Sequence, residues 1–354
     1  MMMLKKNGAK GQETTISPAE QEAKIREVRA LIGPLSGKLL LYCSDDLLSQ
    51  YLRARNWSVK KAVKMLKDTL KWRLEYKPDE IRWGDIAHEA ETGKIYRANY
   101  VDKYGRTVLV MRPGFQNTTS WKGQIKYLVY CMENAIINLP KEQEQMVWLI
   151  DFKGWTAASI SVKVTRETAN VLQNHYPERL GVAILYNPPK IFESFWTVVK
   201  PFLEAKTYRK VKFVYSKDSE SMKIMEELFD MDKVETAFGG QCPVEFSKDE
   251  YGKRMEEDDK KTDLYWSSAV SLPGSNNLTE IELQLESNDT ESGSDISERD
   301  DKLESVDLVS GSDGSSKVVP QDSAITESGL NGSGKVDFNL DPVKLEAGSS
   351  NPEK

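Results

Sequence analysis

Three short, mostly apolar runs constrain this chain more than any other feature: MVWLID (146–151), LGVAILY (180–186) and VKFVY (211–215). A strand buried on both faces loses the apolar–polar alternation of a half-exposed one. Continuous apolar strands that alternate with helices imply a mostly parallel sheet covered by helices. The intervening stretches supply those helices. Positions 125, 128, 129, 132, 135, 136 and 139 are apolar with a helical period, and further helices are expected over about 160–175, after 188, and near 219–229. Upstream, IYRANYV (95–101), the turn DKYG and RTVLVM (106–111) form a hairpin-like pair.

Before Pro78 the pattern is helical throughout. S-P-A-E (17–20) is a capping box with Pro at the first helical position, and it opens a helix to about Leu31. A second helix is expected from Asp45 to Arg55. Ser58 is expected to cap a third, whose stripe is Val59, Ala62, Val63, Leu66, Leu70 and Leu74. The expected fold is therefore α/β, an all-helical N-terminal lobe followed by a mostly parallel sheet covered by helices. The boundaries are a disordered N-terminus (1–16), the lobe (17–78), an α/β domain (79–245), a helical extension (246–266) and a disordered acidic tail (267–354).

Composition matters chiefly for that tail, which holds 18 Asp/Glu against 6 Lys/Arg and one aromatic, Phe338. Such a segment buries too little apolar surface to offset chain entropy. With a net charge of −6 for the whole chain, residues 1–266 carry about +6. Three widely spaced cysteines give no disulfide framework and fit a reducing compartment. No apolar leader opens the sequence, no Gly follows the initiator Met, and no apolar run is long enough to span a bilayer. A cytoplasmic monomer is expected.

No catalytic, cofactor or metal site is expected. GPLSGKL (33–39) has three residues between its glycines where a phosphate loop has four, Leu39 replaces the hydroxyl residue, and a helix-ending turn explains it. No G-x-G-x-x-G follows a strand. His88 and His175 form no zinc motif, GSDGS (311–315) misses the nucleophile-elbow spacing, and no nucleic-acid motif is present.

What remains is a set of charged residues beside apolar surface. On a helical wheel Arg55 falls within the apolar face of Leu47, Leu48, Tyr51 and Leu52, whereas Arg53 points to solvent. A guanidinium aimed at the core must be paired. A structural salt bridge and an anion site both satisfy that need. In PPKIFESFWTVVKPFLEAKTYRK (188–210), Ile191, Phe192, Phe195, Trp196, Val198, Val199, Phe202 and Leu203 occupy an arc of roughly 160° before or just past the break at Pro201. This face suits an ordinary sheet-covering helix or a lid over an apolar cavity. Thr207 and Lys210 lie one turn apart, and Glu178-Arg179 stand at the amino end of an apolar strand. Together with Arg55 they offer donors for one anionic headgroup. Lys60, Lys61, Lys64, Lys67 and Lys71 form a solvated face or an anionic-membrane contact. The tail segment SNDTESGSDISERDD is either a passive linker or a site for phosphorylation or protein docking.

In order, the segments YLRARNW, DFKG, HYPERLG, NPP, KPFL with T-x-x-K, and FGG (238–240) resemble a CRAL-TRIO lipid-binding domain with its helical extension, over about residues 40–245. The branch of phosphatidylinositol/phosphatidylcholine transfer proteins is the most similar. The resemblance implies a lipid held in an apolar cavity under a gate helix near 189–204, with transient contact to membranes. It places Arg55, Thr207 and Lys210 on phosphate-contacting positions, Glu178 on the position that pairs with the lysine, and Arg179 beside it. Asn56 departs from the basic residue that often follows the arginine. Thr156 keeps one hydroxyl of the choline-lipid pattern, and Ala158 lacks the other. A diacyl lipid exposes about 30 methylenes, worth on the order of 20 kcal/mol in water, which calls for enclosure. Carriage of another lipophile, or a lipid-sensing adaptor with a partner for the acidic tail, are the alternatives.

Overall fold

Five strands form one sheet in the order β1 (Ile95–Val101), β2 (Thr107–Met111), β3 (Met146–Asp151), β4 (Leu180–Tyr186) and β5 (Val211–Val214). The computed structural model describes residues 16–271 except 157, 158, 160, 201 and 202. The N-terminal residues to 15 and the acidic tail from 272 thus lie outside the described residues. β1 and β2 pair antiparallel, and β2 through β5 are parallel, as the apolar runs predict.

Preceding the sheet are α1 (Pro18–Ile32), α2 (Gly37–Tyr42), α3 (Asp45–Ala54), α4 (Val59–Tyr76) and the short α5 (Trp83–Ile86). The Ser17 hydroxyl accepts from the Glu20 N–H at 3.3 Å, whereas Ser58 makes no side-chain cap. GPLSGKL is more than a turn. Gly33 ends α1 with φ 79°, and Gly37 then opens α2, a helix too short for a periodicity argument to find. The lobe has its own core of Val28, Leu48, Tyr51, Leu52, Leu66 and Leu70.

Each parallel connection carries helix: α6 (Trp121–Ile137), α7 (Val162–His175), and α8 (Lys190–Val199) followed by α9 (Ala205–Tyr208). With right-handed crossovers, sequential strand order puts α6, α7 and α8 on one face. After β5 come α10 (Ser219–Leu228) and α11 (Lys248–Ser267). α11 protects the β1 edge, where the Arg97 N–H donates to Tyr251 Oη at 3.1 Å and Asp258 takes the Arg97 guanidinium at 2.5 Å. An edge so occupied cannot template another strand.

The motif FGG has a steric basis. Phe238 is buried against Tyr186 at 5.4 Å, Gly239 has φ 80°, and a Cβ on Gly240 would stand 2.1 Å from the Val234 carbonyl oxygen.

Candidate functional site

Parallel register lines up two rows across the face beneath α6–α8. One is Leu109, Trp148, Ala183 and Val211; the other is Met111, Ile150, Leu185 and Phe213. β3 is the middle strand, and its Val147 and Leu149 on the opposite face are fully buried. Trp148 and Ile150 are only half-buried, as are Met111, Val211 and Phe213. A central strand packed as tightly on both faces would show no such asymmetry. The Trp148 indole Nε1 is buried without an acceptor among the described residues.

α8 closes over part of this face. Asn187 takes φ 50° at the end of β4, and its Oδ1 accepts from the Ser216 N–H at 2.8 Å, while Pro189 stands extended at the N-cap. NPP is thus a sharp strand-to-helix junction. Phe192 is buried against Phe152 (4.4 Å between ring centroids) and Trp155 (5.7 Å), and Trp196 meets Phe213 at 6.0 Å. The cluster ends on Leu185, Ile150 and Val211 of the sheet. Ile191, by contrast, is 53% exposed. Of the remaining lid residues, the side chains of Phe195 and Val199 and all of Pro201 and Phe202 lie outside the described residues.

The charged positions gather at the amino ends of β4 and β5. Lys210, immediately before β5, lies 3.7 Å from Glu178 Oε2 and donates to the Leu180 carbonyl at 2.7 Å. Glu178 has φ 58°, a left-handed conformation that is uncommon away from glycine. Thr207 sits one turn upstream, and its carbonyl accepts from the Lys210 N–H at 3.0 Å. Arg55 is not in the lobe core, contrary to the wheel. It is the C-cap of α3, where the helix ends and Asn56 and Trp57 turn the chain with φ of 51° and 60°. Its Nη1 donates to Glu204 Oε1 at 2.9 Å and to the Ala54 carbonyl at 3.2 Å. Arg55, Glu204, Thr207, Lys210 and Glu178 thereby form one chain of contacts along the turn between α8 and β5.

Two residues behave differently from expectation. Arg179 turns away from Lys210 and donates to the Glu144 carbonyl at 3.1 Å, lining a separate cleft of about 530 Å³ with Gln50, Arg73, Glu133 and Trp266. Arg53 is not solvated; it pairs with Glu144 and donates to Ser49 at 2.9 Å. The Thr156 hydroxyl lies 3.3 Å from Ser159 Oγ, and Ala158 is outside the described residues. Lys60, Lys61, Lys64 and Lys71 are exposed, with Lys67 half-buried. Glu204 and Lys206, whose Nζ donates to the Arg53 carbonyl at 3.2 Å, were hidden from sequence reasoning. Their partners lie about 150 positions away, where no local periodicity reaches.

Behind the cleft, Arg73 is buried and bonded to both Glu133 oxygens at 2.8 and 3.1 Å. Burial opposes its charge, but the Glu133 carboxylate outweighs that and holds its pKa above the usual value. His175 stacks on Trp72 at 4.2 Å, and burial, with Arg73 nearby, lowers its pKa to about 4. No group of His, Cys, Asp and Glu suited to a metal ion occurs among the described residues.

A helical lobe ahead of a sheet, an aromatic helix laid on one face, and charges at the strand entrances together define the class of CRAL-TRIO domains. The CRAL/TRIO domain profile matches residues 90–240, and that of the CRAL/TRIO N-terminal domain matches 34–68. The SEC14 cytosolic factor of Kluyveromyces lactis is 30% identical over 251 residues, covering 64% of this chain and 80% of that protein. The chain belongs to the CRAL-TRIO family. It is also similar to the phosphatidylinositol transfer protein PDR17 of Saccharomyces cerevisiae, 34% identical over 193 residues, or 51% of this chain and 55% of that one. The crystal structure of Sfh5 shares the fold, with a TM-score of 0.51 at 16% identity, covering 70% of this chain and 99% of that one. The matched regions span 21%, 55% and 80% of the first three curated relatives. Among the described residues no helix is long and apolar enough to cross a membrane.

Proposed function

We propose that this chain binds a phosphatidylinositol-type phospholipid, acyl chains against the sheet beneath α8 and headgroup phosphate near Arg55, Thr207 and Lys210, and exchanges it between membranes. One observation carries this reading: the half-buried aromatic and aliphatic face around Trp148 and Ile150 adjoins a turn bearing Thr207 and Lys210 and held by Arg55. The name of the phosphatidylinositol transfer protein PDR17 supports the lipid and its transfer, and that of the SEC14 cytosolic factor supports the compartment. α8 is the gate in this account, and Glu178 holds Lys210 in position for the phosphate. Arg179, turned into its own cleft, fixes the loop before β4. The protein acts from the cytosol with transient membrane contact, and residues 79–245 are the lipid-binding domain between the lobe (17–78) and the extension (246–266).

A neutral lipophile makes no use of the cationic side chains at this turn, whose present partners are Glu204 for Arg55 and Glu178 for Lys210. Native mass spectrometry of the purified full chain, with extraction of its bound lipid, tests the proposal. Phosphatidylinositol is the expected cargo, and transfer of labelled phosphatidylinositol between vesicles is the expected activity. Recovery of only sterol or isoprenoid would overturn the reading.

A further inference from the structure

Arg55 already has an anion. Its partner Glu204 comes from the turn after α8, 149 residues along the chain, at 2.9 Å. Glu204 occupies the N-cap position of α9 and makes no side-chain capping bond there. Its carboxylate reaches outward to the guanidinium instead. Two further contacts hold the turn in place: the Glu204 N–H donates to Gln173 Oε1 at 3.1 Å, and Lys206 Nζ donates to the Arg53 carbonyl at 3.2 Å. That carbonyl belongs to the last turn of α3, the negative end of its dipole, which favours an ammonium group.

We propose that the Glu204 carboxylate is a built-in competitor for the headgroup phosphate, neutralising Arg55 when no lipid is bound and yielding to the phosphate on loading. The proposal rests on the headgroup site proposed above and deepens it. Its chemistry is an exchange of one oxyanion for another at a single guanidinium, with no bond made or broken. The Glu204 side chain is 48% exposed, so it returns to water on displacement and the pair is easily opened. The phosphodiester of phosphatidylinositol brings two anionic oxygens and one negative charge, matching the carboxylate it replaces, and a neutral lipid brings none at this position. The same turn carries Thr207, whose N–H donates to the Glu204 carbonyl at 2.9 Å, and leads to Lys210. Displacing the carboxylate frees the Glu204 side chain while these main-chain contacts keep the turn in place, and its return helps expel the lipid at the acceptor membrane. Competition of this kind lowers affinity and speeds exchange, which suits a carrier better than a store.

The test uses the full chain, vesicles containing fluorescent phosphatidylinositol, and vesicles containing a fluorescent diacylglycerol as the neutral control. Glu204→Gln should increase protein-bound phosphatidylinositol about two- to fivefold and slow its departure to acceptor vesicles, because the competitor's charge is gone. Diacylglycerol binding should not change. Glu204→Asp, one methylene shorter, should fall between wild type and Glu204→Gln. In an Arg55→Ala background the Glu204→Gln substitution should have no effect. Unchanged or weaker phosphatidylinositol binding in Glu204→Gln overturns the competitor role. If Arg55→Ala still weakens phosphatidylinositol binding, the headgroup site survives that failure; if it does not, the site itself is wrong. Equal melting temperatures of wild type and both Glu204 variants, measured alongside, exclude a folding defect as the source of any change.

Discussion

Lys210 Nζ stands 3.7 Å from Glu178 Oε2 and 2.7 Å from the Leu180 carbonyl oxygen, so one ammonium group bridges the entrances of two neighbouring parallel strands. Of the three donor hydrogens on the ammonium, the Leu180 carbonyl takes one, while Glu178 at 3.7 Å is an ion-pair partner beyond hydrogen-bond distance. Glu178 is held for this role in a left-handed backbone conformation, φ 58°, directly ahead of β4. The opposite charges of Glu178 and Arg179 therefore do not cancel each other. They serve different neighbours on either side of the strand entrance.

Lys210→Ala should weaken phosphatidylinositol transfer by about 10- to 150-fold, the loss of one charge-assisted bond worth about 1.5–3 kcal/mol. Transfer of a neutral lipid should change little. The Lys210–Glu178 pair is partly exposed and worth little by itself, so the melting temperature should hold. Equal loss for every lipid would make Lys210 a structural residue only. The assay is vesicle-to-vesicle transfer, with circular dichroism as the folding control.

Glu133→Gln should cost about 3–5 kcal/mol of stability, because it strands the Arg73 guanidinium without its counter-charge. Arg73 is 5% exposed, and its pKa stays high, so it cannot escape by losing its proton. It also lies 4.3 Å from the Tyr42 ring centroid, which joins the lobe to α6 through this one side chain. Chemical denaturation measures the loss. A change under 1 kcal/mol would mean that the charge is relieved by water or by Asp79, 3.9 Å away.

The sheet was legible because burial writes itself into contiguous apolar runs at β3 and β4 and into a shorter one, broken by the exposed Lys212, at β5, and the hairpin because its turn is short. α2 was not, since six residues present too few positions for a period. Arg55 shows the limit more clearly. The wheel assumed that α3 continues through residue 55, whereas the helix ends at Ala54 and the cap geometry redirects the guanidinium. Arg53 was assigned to solvent because its partner, Glu144, lies 91 positions away. The Lys210–Glu178 proximity came from resemblance to a family, and no spacing rule connects residues 32 apart on adjacent strands.

Stability should fall as pH drops from about 6.5 to about 4. His175 is held neutral in the folded protein with its pKa lowered to about 4, by burial first and by Arg73 second. In the unfolded chain it titrates near 6.5, so between these values the unfolded state binds more protons and gains on the folded one. Below about 4 both states are protonated, and this contribution levels off. The groups around the ring are Thr69, Trp72 and Arg73, none of which titrates in that window. His175→Gln should flatten the melting-temperature profile between pH 7 and pH 4.5. An unchanged slope would place the acid sensitivity elsewhere.

The final prediction concerns α8. Phe192 is 6% exposed and Phe238 is 1% exposed, so an ordinary core would charge similar penalties for removing either ring. Phe238 packs under the sheet on Tyr186, and Phe238→Ala should cost ~3–5 kcal/mol. If α8 opens and closes as a gate, the Phe192 contacts to Phe152 and Trp155 are made only part of the time, and Phe192→Ala should cost about 1–2 kcal/mol. Hydrogen exchange supplies the second readout. Amides of 190–199 should exchange much faster than those of β3 and β4 in the free protein, and slow once phosphatidylinositol vesicles have loaded it. Trp196→Asp should depress transfer more than stability, because a carboxylate on that face opposes closure over acyl chains. Protection of 190–199 equal to that of β3 with and without vesicles, together with a Phe192→Ala penalty matching Phe238→Ala, would make α8 a fixed core helix and remove the gate from the mechanism.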